Sequence, residues 1–348
     1  MSGLKPSKPM VKKYDILQAS YGGIGLSGSE AHMVNLLWQL DWHCRRFGST
    51  ATQPFQVRID RQRFYREHYT YSQIGYSFME VLSWSHGQIQ ECFSAYHLNP
   101  YIQLISHKLQ SLQQDIGCTL HRAHQHQLAK QCLNEIRMAV RSPEFVIRNS
   151  DWNRQGRQNL AMQKSFVRQA VRKFNTVSLL GLEINQTGLH PRGTSFNPHD
   201  LHEVEIQRSR GLTEFIKRLE QEVFKDKLAG TLCSSGFDAY KGLCNRLQLV
   251  LLVDEEGNIP LINLEQLNEV WQQCNLPNPV TAEGACLRSQ VCMDVHFGRL
   301  TDGDAIRQNE LKDHLEMLHE REHYRRYDST VFAPCTQIHR GAIMLGGR

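Results

Sequence analysis

The chain has 348 residues, enough for roughly two domains of ordinary size. Its 40% hydrophobic, 9% aromatic and 22% charged residues are the proportions of a globular protein. No apolar run approaches the ~18 residues a membrane span needs, and no apolar stretch follows the basic start at Lys5, Lys8, Lys12 and Lys13, so neither a membrane span nor a signal peptide is expected. The ten cysteines are scattered without a Cys-x-x-Cys pair, which points to reduced thiols in a cytoplasmic protein. The net charge of +5 is mild, so the distribution of charge carries more information than its sum.

Tyr21-Gly22-Gly23-Ile24-Gly25 has the glycines of a phosphate loop but not the Gly-Lys-Ser/Thr that follows them, and reads as a leader. A helix is expected from Ser29, with Met33, Leu36, Leu37 and Leu40 at helical spacing. Further helices are predicted over 72–94, 99–115 and 121–141. The segment Arg58 to Arg66 is basic with aromatics, and fits either a solvated helix face or a phosphate contact. His121 and His124 can share a helix face while His126 points elsewhere. With no Cys, Asp or Glu at obvious ligand spacing beside them, zinc is the lesser of the two readings of this cluster.

The second half changes character. A helix is predicted over 155–174 and a strand over 177–184. A Gly/Pro/Asn-rich loop follows over 185–200. A helix over 209–228 carries Leu212, Phe215, Ile216, Leu219 and Val223 on one face. Strands follow near 229–235 and over 246–253, then a turn at Asp254 to Asn258. A helix over 263–274, a strand over 290–297 and a charged helix over 303–327 complete the chain. The order β-α-β-β-α-β predicts a ferredoxin-like antiparallel sheet with helices on one face. The expectation is therefore an α+β protein, with a mostly α-helical region over 1–150 and an α+β domain over 151–348.

Charge concentrates just before that sheet. Nine basic residues between Arg137 and Lys173 face only Glu144 and Asp151, a local excess of +7. At 100° per residue, Arg157, Lys164, Arg168 and Arg172 fall in one narrow arc. A row of cations without acidic partners at helical spacing suits a phosphate backbone; a solvated face is the bland alternative. Asp294 and His296 share a strand face, as a metal pair or a structural one. Tyr324 and Tyr327 sit in a basic stretch with Arg325 and Arg326. There is no Gly-x-Ser-x-Gly of a hydrolase.

From about residue 160 onward the order of features resembles the inovirus-type replication-initiator family and its prophage relatives of YagK/YfjJ type. A helix leads into the strand over 177–184. The basic helix segment Phe215-Ile216-Lys217-Arg218-Leu219 follows, then the apolar strand before an acidic turn over 246–258. A helix ending near Trp271, a late strand and a helix with a basic, tyrosine-bearing end over 318–326 complete the series. That family is similar to the HUH endonucleases, which implies a His-apolar-His triplet holding a divalent metal and a helix-borne tyrosine nucleophile. Here the triplet position reads Arg246-Leu247-Gln248, and the tyrosine and its lysine fall at Met317 and Glu320. A guanidinium cannot ligate a metal and methionine has no hydroxyl. The resemblance therefore implies an inactive relative that keeps a DNA-binding scaffold: a sequence-specific double-stranded DNA-binding regulator, homo-oligomeric, with no catalytic residues, metal or cofactor. The DNA-binding candidates are Arg157, Lys164, Arg168, Arg172, Lys173, Arg246, Gln248, Tyr324, Arg325 and Arg326. The alternative is an active nicking initiator using Tyr324 or Tyr327 with Asp294 and His296. Alternation puts Leu247, Leu249 and Leu251 toward the helices and Arg246, Gln248 and Val250 on an open face. Arg246 then meets either DNA or a carboxylate such as Glu183 on a neighbouring strand.

Overall fold

The structure is a computed structural model and describes residues 28–60, 66–87, 89, 93, 96–118, 122–187, 198–238, 242–253, 258, 260, 263–274, 288–329, 331–333 and 335–345. The glycine-rich leader at 21–25, most of the basic segment's tip, His121 and the acidic turn at 254–257 lie outside these residues. The chain divides into two units, the first made of His32–Gln155 with His323–Arg325, the second of Gly156–Glu322 with Arg326–Arg348. No helix among the described residues is long and apolar enough to cross a membrane.

The first unit contains helix α1 (Gly28–Ser49), the strands β1 (Phe55–Asp60) and β2 (Arg66–Tyr71), α2 (Gln73–Leu82), the short β3 (Tyr96–Leu98), α3 (Pro100–Gly117) and α4 (Arg122–Arg141). Its fully buried side chains include Leu37, Leu40 and Phe47 of α1, Phe78 of α2, Ile102, Ile105 and Leu109 of α3 and Leu133 and Ile136 of α4. Spacings of three, four or seven residues within α1, α3 and α4, and of Ile74, Phe78, Val81 and Leu82 in α2, put one apolar stripe of each helix inward. Ser72 and Asn99 cap α2 and α3 by accepting from Gly75 N and Tyr101 N. The segment read as a helix face is instead an antiparallel hairpin, with Phe55 opposite Tyr71 and Val57 opposite Tyr69. The period there is two, not 3.6. His126 does not face open water: it is stacked on Tyr69 at 3.9 Å and hydrogen-bonded to the Tyr71 hydroxyl at 2.8 Å.

α5 (Pro143–Phe174) is a single helix of 32 residues, longer than the sequence indicated, and the division between units falls inside it. The second unit adds β4 (Thr176–Thr187), α6 (Pro198–Arg218), β5 (Leu228–Asp238), β6 (Gly242–Leu252), α7 (Leu264–Cys274), β7 (Arg288–Thr301), α8 (Ala305–Tyr324), β8 (Arg325–Tyr327), β9 (Gln337–Arg340) and α9 (Ala342–Leu345). Five strands form an antiparallel sheet in the order β7-β4-β6-β5-β9. Each crossover, through α6 and through α7, steps over one strand, which is the expected split-βαβ arrangement. β9 is an added edge strand, and α6 begins at Pro198, ahead of the helix start expected at 209 and taking in only the last three residues of the segment read as loop.

The leucine face of β6 meets the two crossover helices. Arg208 of α6, 1% exposed, donates to the Ile184 carbonyl at 3.1 Å and to Asn245 Oδ1 at 2.9 Å, and lies 4.7 Å over the Trp271 ring of α7. The Phe215 and Trp271 rings pack edge to face at 5.3 Å. The other face is not open, contrary to expectation. Val177, Leu179, Val250, Leu232 and Leu300 make a continuous core with Phe166, Val167, Ala170 and Val171 of α5 and Leu311 and Leu315 of α8. Helices therefore cover both faces. The close approach depends on two glycines. A Cβ at Gly230 would come within 2.6 Å of the Phe166 ring, and one at Gly156 within 2.7 Å of His319 Cε1.

Candidate nucleic-acid interface

α5 is amphipathic for a definite reason. Over 156–174 the inward positions are Gly156, Asn159, Gln163, Phe166, Val167, Ala170 and Val171, all buried. They fall in one arc at 100° per residue. The opposite arc carries Arg157, Gln158, Ala161, Met162, Ser165, Arg168, Gln169, Arg172 and Lys173, all exposed. No acidic residue occurs between Trp152 and Asn175.

The four cations grouped by spacing do not behave alike. Arg157, Arg168 and Arg172 are on the exposed arc. Lys164 lies at its rim, 26% exposed, and donates to Glu316 Oε1 of α8 at 2.9 Å. Lys173 donates to the carbonyls of Ile343 and Met344 at 2.5 and 3.3 Å and sits 5.3 Å from its neighbour's ring, Phe174. It caps the last turn of α9. Glu220 caps the other end by accepting from Ala342 N at 2.5 Å.

The remaining candidates are elsewhere. Arg246 and Glu183 stand opposite each other on β6 and β4, 16% and 11% exposed, with Nε 3.0 Å from Oε2. Gln248, 5% exposed, contacts the ring Nε2 of His314 on α8, itself 2% exposed. Tyr324 is 7% exposed and belongs with His323 and Arg325 to the first unit. There Asn99 N donates to the Tyr324 carbonyl at 2.9 Å, and Trp152 Nε1 donates to that of His323 at 2.7 Å. Arg325 lies 4.7 Å over the Tyr96 ring. Arg326 is 4% exposed, with Nε donating to the Glu322 carbonyl at 3.4 Å. The Tyr327, Asp294 and His296 side chains lie outside the described residues, as do those of Met317 and Glu320. Of the ten candidates, only Arg157, Arg168 and Arg172 present solvent-facing cations on one surface.

The resemblance implies a divalent metal beside the triplet on β6. The residues present do not fit one. Arg246 is a cation already held by the nearest carboxylate, and Gln248 is packed against His314. A guanidinium in a ligand position repels a divalent ion. No group of three or more His, Cys, Asp or Glu side chains among the described residues can hold a metal.

Several polar positions had no sequence signal because their partners come from distant elements. Arg208 is one; burial pushes its pKa down to about 9. Glu322 is another. It accepts from Thr336 N at 2.8 Å, from Thr336 Oγ1 at 2.5 Å and from Asn159 Nδ2 at 2.9 Å. Burial raises its carboxyl above the usual range. His319, close by, is lowered to about 4, first by burial and then by the charge of Arg326.

No family model matches the chain, and neither a curated protein nor a solved structure matches it.

Proposed function

We propose that the protein binds double-stranded DNA sequence-specifically and acts as a transcriptional regulator, on a replication-initiator-like scaffold without metal-and-tyrosine machinery. One observation carries the reading. Arg157, Arg168 and Arg172 project from one exposed face of a helix that has no acidic residue between Trp152 and Asn175. Fifteen residues separate the outer two, about 22 Å at 1.5 Å per residue, against a helical repeat of DNA of about 34 Å. Each phosphate so neutralised releases condensed counterions. The reading places the protein in the cytoplasm as a homo-oligomer, a state that sedimentation with and without DNA checks.

The test is Arg157→Glu with Arg168→Glu. Affinity for any duplex should fall together, and the salt slope should flatten by about 0.9 per lost contact. Unchanged affinity in the folded double variant overturns the reading.

The alternative of a nicking initiator has less support. Arg246 and Gln248 are each engaged with a neighbour, and Tyr324 is buried among first-unit groups.

A further inference from the structure

We infer that the exposed face of α5 is a recognition surface for the major groove of duplex DNA, with Gln158 and Gln169 reading base edges while the arginines hold the backbone. This rests on the DNA-binding reading above and deepens it.

The argument is the order of side chains around the helix. Taking Arg157 as zero and about 100° per residue, Arg168, Ala161 and Arg172 follow within about 60°. Ser165 comes next at about 80°. Gln158, Gln169 and Met162 occupy the far side, at about 100° to 140°. All eight are exposed. The face therefore has a cationic edge with Ala161 set among its arginines, Ser165 beside it, and then an amide edge. A helix that only followed phosphates would need the first of these alone.

The amide edge has the chemistry of base readout. A glutamine side chain pairs bidentately with adenine N6 and N7, and a small apolar group such as Ala161 accepts a thymine methyl. Gln158 and Gln169 are 11 residues apart, about 16 Å along the axis, which matches roughly five base-pair steps. Gln158 has no hydrogen bond among those described, and Gln169 has one weak neighbour, Ser165 Oγ at 3.3 Å. The small residues between them let the helix sink toward the groove floor.

Two other partners fit less well. Single strands are held by aromatic platforms, and no aromatic side chain interrupts this arc. The deep, narrow major groove of duplex RNA does not admit a helix. The charge, the width and the side-chain set select B-form DNA.

The experiment is selection from a random-sequence DNA duplex pool with the full chain, as wild type and as Gln158→Ala with Gln169→Ala. Both changes are at exposed helix positions where alanine is the better helix former, and thermal melting checks the fold. The wild type should enrich a site with adenines about five steps apart. The variant should keep its affinity for unselected duplex within about twofold while losing about tenfold preference per amide. Enrichment of the same site by the variant overturns the inference, as does duplex binding by the wild type with no enriched site. Equal competition by a duplex RNA of matched length overturns the groove assignment. Loss of the selected preference only in the arginine variant, with the amide variant unchanged, leaves DNA binding standing and removes the recognition role. Absence of any duplex binding by the wild type removes both.

Discussion

Arg246 donates from Nε to Glu183 Oε2 at 3.0 Å across the β4–β6 ladder, with both side chains mostly buried. The two residues are direct cross-strand partners, so the pair is a product of register rather than of a ligand site. The carboxylate pairing is one of the two meanings the sequence left open for Arg246.

The consequence is measurable. Arg246→Ala leaves Glu183 without its cation in a partly buried setting, and breaking one side of such a pair costs more than the pair itself contributes. We expect a loss of about 1–3 kcal/mol of stability, read as a lower melting temperature. DNA affinity should stay within about twofold. Replacing both partners together, Arg246→Met with Glu183→Leu, should restore most of the loss. An unchanged melting point in the single variant contradicts this.

The order of β4, β5, β6 and β7 with their crossover helices was legible because apolar residues recur along each of these strands, and Leu247, Leu249 and Leu251 show the alternation plainly; β9, with Ile338 its one apolar residue, gave no such signal. The second helical layer was not. Val250 and Gln248 share a face with Arg246, and two polar residues in three made that face look solvated. In the fold Val250 joins Phe166 and Leu315, and Gln248 meets His314, a partner 66 residues away. Similarly, the spacing of Arg157, Lys164, Arg168 and Arg172 revealed a stripe, but only Glu316 on α8 shows which of the four is neutralised. The hairpin over 55–71 was hidden because its charged residues mimic a helix surface.

Catalysis gives the second expectation. On the proposed initiator-like scaffold, neither Mg²⁺ nor Mn²⁺ should support nicking of supercoiled DNA, because the resemblance would put its metal ligands at Arg246 and Gln248, a cation and a buried amide. No covalent protein–DNA adduct should form. Recovery of a tyrosyl adduct mapped to Tyr324 or Tyr327 would replace the regulator by an active initiator.

A third expectation concerns the C-terminal segment. α9 has only four residues, too few to be stable alone. Lys173 holds its last carbonyls and Glu220 its first amide, each with the sign the helix dipole favours. Lys173→Ala with Glu220→Ala should therefore free the segment after β9. Limited trypsin digestion should then cut at Arg340 several-fold faster, while the melting temperature of the sheet changes little. Unaltered cleavage would show that Ile343 and Met344, packed against the core, hold the segment without the caps.

The last expectation is a pH dependence in the first unit. His43 of α1 is 7% exposed and packed against the rings of Trp42, Phe47 and Trp84. Burial, followed by the charge of Arg46, lowers its pKa to about 4. The ordinary value is near 6.5, so above that pH both folded and unfolded chains are neutral there and the group has no effect. Between 6.5 and about 4 the unfolded chain takes up a proton that the folded one refuses. Stability therefore falls with falling pH across that window, by up to about 1.4 kcal/mol per pH unit from this one group. Asp41, one turn before Arg45 and bonded to it at 2.7 Å, is raised by burial and acts in the opposite direction at the acid end. As pH falls, that contribution is gained through the raised folded carboxyl value, so it opposes the loss from His43 where the two windows overlap. His43→Gln keeps a polar side chain of similar reach but removes the titration. The variant should show a flatter melting temperature between pH 7 and pH 5 than the wild type, whatever its absolute stability. Parallel slopes for the two proteins would assign the acid sensitivity to other groups.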